Sequence, residues 1–278
     1  MSFKRYIKNG VKYILKEHKP TIVKVEVVQK TNNEMFKNKN ILITGGSRGL
    51  GFYMAKKFIS DGAKVIITGR NKEKLEKAKK ELGERSDYKV LDMGKIDSFS
   101  NFINCLYKEY NHIDCLINNA GISLHEGSLE NVDEKKFEEQ IKTNLEGAYF
   151  LAKEYILRLQ NEKKCGNIIF ISSERGAQCD FLPYGLTKVA LNSLVEGLSR
   201  KYYKEGIRVN GVAPGVTATD MTGISKDNNL YAENASGRYF IPEEVAEVVE
   251  FLASENSKCV SGEIIYCDAG QHLNPWWK

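Results

Sequence analysis

Six cysteines, none in a C-x-x-C pair and none beside a histidine at ligand spacing, deprive this chain of the usual pattern of a zinc site or a disulfide framework. Cys105, Cys115, Cys165, Cys179, Cys259 and Cys267 read as reduced thiols, the usage of a cytoplasmic protein. The four histidines, His18, His112, His125 and His272, are too dispersed to hold a metal together; His125 follows Asn118-Asn119-Ala120-Gly121 closely enough to face a substrate, but with no partner it reads better as a surface-loop residue. No apolar run approaches the roughly twenty residues of a membrane span, and the first residues lack the apolar centre of a signal peptide. An excess of one charge is also missing. Lys and Arg number 41 against 36 Asp and Glu, a net charge of +5, and without a recognition module this does not indicate nucleic-acid binding. There is no internal repeat and no low-complexity tract.

What is present is alternation. From Asn40 onward short β-branched runs take turns with amphipathic segments, which predicts an α/β fold with a parallel sheet and crossover helices. Seven strands are predicted, at Asn40–Thr44, Lys64–Thr68, Tyr88–Leu91, Ile113–Ile117, Asn167–Ile171, Ile207–Val212 and Glu263–Cys267. Phe52, Ala55, Phe58 and Ile59 recur at the spacing of one buried helix face. A (β/α)8 barrel alternates in the same way, but a glycine-rich turn directly after the first strand favours a doubly wound, Rossmann-type sheet with helices on both faces. Residues 39–278 are expected to form this domain. Residues 1–38 stand apart as an extension. In it Phe3, Ile7, Val11, Ile14 and Leu15 make the stripe of a basic amphipathic helix, and 21–29 reads as a strand. That helix fits docking onto the parent domain better than a lipid surface, to which one short helix binds only marginally.

The turn Thr44-Gly45-Gly46-Ser47-Arg48-Gly49-Leu50-Gly51 lets the backbone bend tightly and approach a phosphate with no Cβ in the way. The following helix offers free N–H groups and the positive end of its dipole. An acid at the end of the second strand would bind the adenosine ribose and repel a 2′-phosphate, but the run Ile67-Thr68-Gly69-Arg70-Asn71 holds none. Arg70 and Arg48 instead offer guanidinium groups suited to that phosphate, so NADP(H) is the expected cofactor. Downstream, Tyr184 and Lys188 stand one helical turn apart. An ammonium at i+4 shares the phenol's face and is expected to lower its pKa, making Tyr184 a usable acid in carbonyl reduction and base in alcohol oxidation. With tyrosine and serine supplying electrophilic assistance, no metal is needed.

In this order and spacing the motifs resemble the short-chain dehydrogenase/reductase family, in its single-domain, 3-oxoacyl reductase-like branch, over about residues 38–272. They are TGGSRGLG at 44–51, Asp92, Asn118-Asn119-Ala120-Gly121, Asn144, Ser172-Ser173, Tyr184-x-x-x-Lys188 and Pro214-Gly215 followed by Thr217. The resemblance implies cofactor contacts from Gly45, Ser47, Arg48, Gly49, Leu50 and Gly51 of the turn and from Arg70. It adds Asp92 and Met93 near adenine, Asn119, Ala120 and Gly121 along the dinucleotide, and Pro214, Gly215, Val216 and Thr217 flanking nicotinamide. It implies a catalytic set of Asn144, Ser173, Tyr184 and Lys188, in which Lys188 also grips the nicotinamide ribose, Asn144 holds a water that passes protons, and Ser173 rather than Ser172 polarises the carbonyl. It further implies a homodimer or homotetramer built through the helices carrying residues 144–160 and 184–203.

One departure stands out: Ser173 and Tyr184 are eleven positions apart, about two fewer than is common in the family, so the loop Glu174–Pro183 is short. Residues 217–240 are expected to form a substrate lid, with Tyr231, Tyr239 and Phe240 either lining the pocket or packing the lid itself. Pro275-Trp276-Trp277-Lys278 is expected to cover a neighbouring subunit's pocket or to fray. Two other functions share these features, an NAD-linked alcohol or sugar dehydrogenase and a non-catalytic NADP(H)-binding regulator. The regulator has no need of a proton relay.

Overall fold

A strand buried on both faces reads as a nearly unbroken apolar run, and the runs Ile41-Leu42-Ile43, Val65-Ile66-Ile67 and Ile168-Ile169-Phe170-Ile171 behave in this way: every one of these residues is buried. A computed structural model describes Ile22, Lys24 and residues 35–273. The predicted helix and strand within residues 1–38, and the C-terminal Trp pair, lie outside the described residues. Seven parallel strands form the sheet: β1 (Asn40–Thr44), β2 (Lys64–Gly69), β3 (Ser86–Val90), β4 (Cys115–Asn118), β5 (Gly166–Ile171), β6 (Ile207–Pro214) and β7 (Ile264–Cys267). Their order is β3-β2-β1-β4-β5-β6-β7, the doubly wound arrangement expected from the alternation.

All seven predicted strands are present, the first with the predicted bounds and the other six with shifted ends. β3 begins at Ser86 rather than Tyr88, because Ser86 pairs with Val65 in the β2 register and its hydroxyl donates to the Gly83 carbonyl, closing the preceding turn. β4 begins two residues later than predicted, at Cys115, since Asp114 instead uses its carboxylate to hold the Asn40 amide and the Lys39 ammonium.

Neighbouring strand residues face opposite sides of the sheet, so the core divides into two layers. Leu42, Ile66, Leu116, Ile168 and Phe170 point to the face covered by α3 (Phe99–Tyr110), α5 (Gly147–Glu162) and α6 (Pro183–Tyr202). Ile41, Ile43, Val65, Ile67, Ile117 and Ile169 point to the face covered by α1 (Gly49–Ser60), α2 (Lys72–Leu82) and α7 (Pro242–Ala253). In α1, Ala55 and Phe58 of the predicted stripe are fully buried, and each large apolar side chain so placed contributes roughly 1.5–3 kcal/mol. α4 (Glu134–Gln140) runs into α5 through a π-helical segment, Ile141–Glu146, whose widened turn carries Asn144. Such widened turns are often found where a side chain must be aimed at a functional site. Among the described residues no helix is long and apolar enough to cross a membrane.

Candidate active site

The strand order reverses between β1 and β4, and in open α/β sheets ligands settle in the crevice beyond the carboxyl ends of the strands at that point. A cleft of about 480 Å³ lies there, within the range of small-molecule and cofactor sites. Its walls come from segments far apart in the chain: the glycine-rich turn, the ends of β2, β4, β5 and β6, the start of α6, and the first residues after β6.

The glycine-rich turn is stapled to the end of β4. Asn119 donates its side-chain amide to the carbonyls of Thr44 (2.8 Å) and Gly45 (3.2 Å), and the Thr44 hydroxyl accepts the amides of Asn119 and Ala120. Gly45 has φ of +67°, a backbone state that side chains disfavour, and an added Cβ would lie 3.0 Å from the Ala120 Cα. α1 then starts at Gly49 with no side-chain cap and no acid in its first turn, which leaves its N–H groups directed at the cleft. Gly51 passes so close to the Gly45 carbonyl that a methyl group would overlap it and would stand 2.6 Å from Asn119 Nδ2. Gly51→Ala is therefore expected to cost about 1–3 kcal/mol in urea unfolding and to abolish dinucleotide binding in a fluorescence titration. Wild-type values for both would show that the turn relaxes freely.

The cleft gathers most of the predicted cofactor residues, including Gly45, Ser47, Arg48, Gly49, Leu50, Arg70, Asp92, Met93, Ala120, Gly121 and Pro214 through Thr217. Gly51 stands behind the turn rather than on the surface of the cleft. The arginines are in loose, solvent-exposed pairs, Arg48 with Asp220 at 3.5 Å and Arg70 with Glu139 at 3.7 Å. Pairs of this kind contribute little, so either guanidinium can exchange its carboxylate for a phosphate at small cost.

Ser173, Tyr184 and Lys188 also meet at the cleft, with Asn144 behind them. Asn144 is 1% exposed and uses its amide to read the backbone of Ile122 in both directions, accepting from N and donating to O at 2.8 Å each. Its Nδ2 lies 3.4 Å from the Thr187 hydroxyl, which ties the π segment to the first turns of α6. The two serines differ in engagement. Both line the cleft, but Ser172 donates to Asn192 Oδ1 at 2.6 Å and is locked between β5 and α6, whereas the Ser173 hydroxyl accepts the Arg175 amide at 3.2 Å and lies beside the Tyr184 phenol.

The expected lowering of the Tyr184 pKa by Lys188 is not what the chain alone produces. Burial holds the phenol above its usual value, opposed by the Ser173 hydrogen bond and the Arg175 charge, with Glu174 adding to the rise. The Lys188 ammonium donates to the Ile171 carbonyl at 2.8 Å and stands 5.4 Å from the Tyr184 ring centroid. Burial pushes its own pKa down to about 8. Helical spacing brought the two groups to one face, but loss of water dominates both ionisations.

Several cleft residues were legible only as parts of loops, not one by one. Thr219, Asp220, Met221 and Thr222 show that the near end of the predicted lid reaches the cleft. Tyr231, Tyr239 and Phe240 do not: Tyr231 is exposed, and Phe240 packs near Gly215 behind the wall. His125, exposed as expected, nevertheless lines the cleft and places Nε2 3.0 Å from the Met221 carbonyl. The short loop after Ser173 adds Glu174 and Arg175.

The model of the family described as short chain dehydrogenase matches residues 39–229. The chain belongs to the short-chain dehydrogenase/reductase family. It is 35% identical to the 3-oxoacyl-(acyl-carrier-protein) reductase FabG of Chlamydia trachomatis, over 84% of this chain and 97% of that protein. A 3alpha-hydroxysteroid dehydrogenase of Mediterraneibacter gnavus is equally similar, 35% identical over 84% of this chain and 97% of its own. Among solved structures, that of ElxO with NADP bound shares 32% identity and a TM-score of 0.78, covering 85% of this chain and 99% of that one. Members of this family are oxidoreductases that act on CH–OH groups of small molecules with a nicotinamide cofactor, and this chain has the seven-stranded sheet that carries such a site.

Proposed function

We propose that this protein is an NADP(H)-dependent carbonyl reductase in which Tyr184 is the general acid for reduction and the general base for oxidation. The convergence of Ser173, Tyr184 and Lys188 on the same cleft as the glycine-rich turn carries this reading. When bound, the dinucleotide supplies or takes up hydride. Gly45, Ser47, Gly49, Leu50 and the uncapped start of α1 hold its pyrophosphate, Asp92 and Met93 border adenine, and Asn119 to Gly121 with Pro214 to Thr217 frame the nicotinamide end.

Tyr184 delivers a proton to the substrate oxygen as charge builds on it, and Ser173 donates a hydrogen bond to that same oxygen. Lys188 binds ribose hydroxyls and, turned from the Ile171 carbonyl toward the phenol, favours the phenolate. Asn144, anchored on Ile122, positions a water for proton exchange with solvent. A screen of ketones and aldehydes with NADPH consumption as readout tests the activity, and failure with every class of carbonyl compound would leave a dinucleotide-binding regulator as the better reading.

The choice of NADP(H) rests on Arg48 and Arg70, whose weak partners release them readily, and on the absence of an acid at the end of β2. Replacing both by serine removes two charge-assisted contacts and is expected to narrow the ratio of NADH to NADPH dissociation constants by about 10- to 100-fold. An unchanged ratio would move the preference to other residues. Self-association through α5 and α6 is supported by the exposed apolar side chains of Tyr149 and Leu157 on the first and Leu186 and Val189 on the second.

A further inference from the structure

We propose that Arg175 selects the substrate, receiving the carboxylate or phosphate of a carbonyl compound whose carbonyl lies at Ser173 and Tyr184. This rests on the reductase reading above and specifies its substrate class as anionic. Arg175 begins beside that carbonyl position, since its backbone N–H donates to the Ser173 hydroxyl at 3.2 Å. Its side chain lines the cleft.

The charge is asymmetrically presented. Arg175 gives Nε and Nη2 to a single oxygen of Asp180, at 2.6 and 2.5 Å, and Nη1 stays outside the pair. The Asp180 side chain is 6% exposed while that of Arg175, a residue of the cleft lining, is 47% exposed, so the cation is open to solvent and its counter-charge is not. Asp180 is fixed in turn: its other oxygen accepts the amides of Phe181 and Leu182 just before α6. It packs onto Gly185 so closely that any side chain there would collide with it. The shortness of the Ser173–Tyr184 loop is therefore matched by an internal brace that aims a guanidinium at the substrate.

Three acids share the cleft, of which Asp92 accepts the Gly94 amide at the far, glycine-rich-turn side. Asp220 is paired with Arg48 on the lid side, and Glu174 has one carboxyl oxygen buried away from solvent. Lys188 is buried and donates to the Ile171 carbonyl. Arg175 is thus the solvent-facing cation next to Ser173, with the planar fork that suits carboxylate and phosphate.

Calorimetric titration into protein saturated with NADP+ tests this, using acetoacetate against methyl acetoacetate and dihydroxyacetone phosphate against dihydroxyacetone. At least one anion is expected to bind more tightly than its neutral partner, and Arg175→Met is expected to weaken that anion about tenfold more than the neutral compound. The two pairs separate carboxylate from phosphate. Because Arg175→Met strands the buried Asp180 carboxylate, the double variant R175M/D180N serves as the second measurement, its fold checked by circular dichroism and NADP+ affinity. Equal losses for anion and neutral partner in the double variant would reduce Arg175 to a brace, and wild-type protein that binds neither anion better than its partner would overturn the proposal outright. Anion binding that depends on Arg175, with no carbonyl compound consuming NADPH, would keep the anion site and remove the reductase reading instead.

Discussion

Tyr184→Phe is expected to lower kcat/KM for carbonyl reduction by about a thousandfold or more while NADPH affinity stays within a few-fold. The substitution deletes one hydroxyl and keeps the ring that forms the cleft wall, so binding surface survives and the proton source does not. General acid catalysis of this kind contributes about 10²- to 10⁴-fold, and Tyr184 is the one phenol on the described cleft wall, with a flanking cation, Lys188, 5.4 Å from its ring centroid. Ser173 alone can polarise a carbonyl, but its proton is far less available than a phenol's, so it is a poor replacement. Single-turnover measurement of NADPH oxidation separates this loss from slow product release. Turnover above a tenth of wild type would remove Tyr184 from the role.

Lys188→Met is expected to have two large effects of opposite benefit. Turnover falls by orders of magnitude, since the cation that would favour the phenolate and hold the ribose is gone. The free protein, by contrast, becomes more stable at neutral pH. Its lysine is 4% exposed and burial depresses its pKa from the usual 10.5 to about 8. Below pH 8 the lysine is protonated in both folded and unfolded chains, and the fold bears the full cost of burying the charge, on the order of 3 kcal/mol. Between about pH 8 and 10.5 the folded chain has released the proton and the unfolded chain has not, so wild-type stability from this group rises across that window. Methionine removes the cost at neutral pH, less about 1 kcal/mol for the unpaired Ile171 carbonyl.

Urea unfolding of both proteins from pH 7 to 9.5 checks the sign: the variant's advantage should be largest at pH 7 and shrink as pH rises. Tyr107, Tyr110 and Tyr155, whose pKa values are raised chiefly by burial, lower the stability of both proteins near and above pH 10, so the difference between the two is the quantity to follow. An advantage that does not vary with pH would mean that the buried amine keeps its proton in the fold across this range, so that burial does not depress its pKa.

The cation proposed for catalysis is thus a group that destabilises the fold at the place where chemistry is proposed. A second buried lysine shows the contrast. Lys57 in α1 is also removed from water, but it meets Asp61 at 3.3 Å and Glu247 of α7 at 3.0 Å, and these partners more than offset the burial, leaving its pKa raised. Among the described residues Lys188 has a carbonyl and an aromatic ring beside it but no carboxylate, and it is left charged at a cost. Unpaired burial of this sort is what one expects of a group kept for a ligand rather than for the fold.

Periodicity and turn chemistry are local, so the sequence by itself determined the β/α alternation, all seven strands, the glycine-rich turn after β1 and the pairing of Tyr184 with Lys188 on one helix face. Those features need only neighbours within a few residues. Tertiary structure alone decided that Asn144 reads the Ile122 backbone from a π turn, that Arg48 and Arg70 rest against Asp220 and Glu139, that the lid meets the cleft through Thr219 to Thr222 rather than through its aromatic residues, and that Arg175 is aimed by a hidden Asp180. It also set the ionisation of Tyr184 in the chain alone, raised by burial, because a pKa depends on which segments exclude water and which charges come near through space, and neither quantity is contained in spacing along the chain.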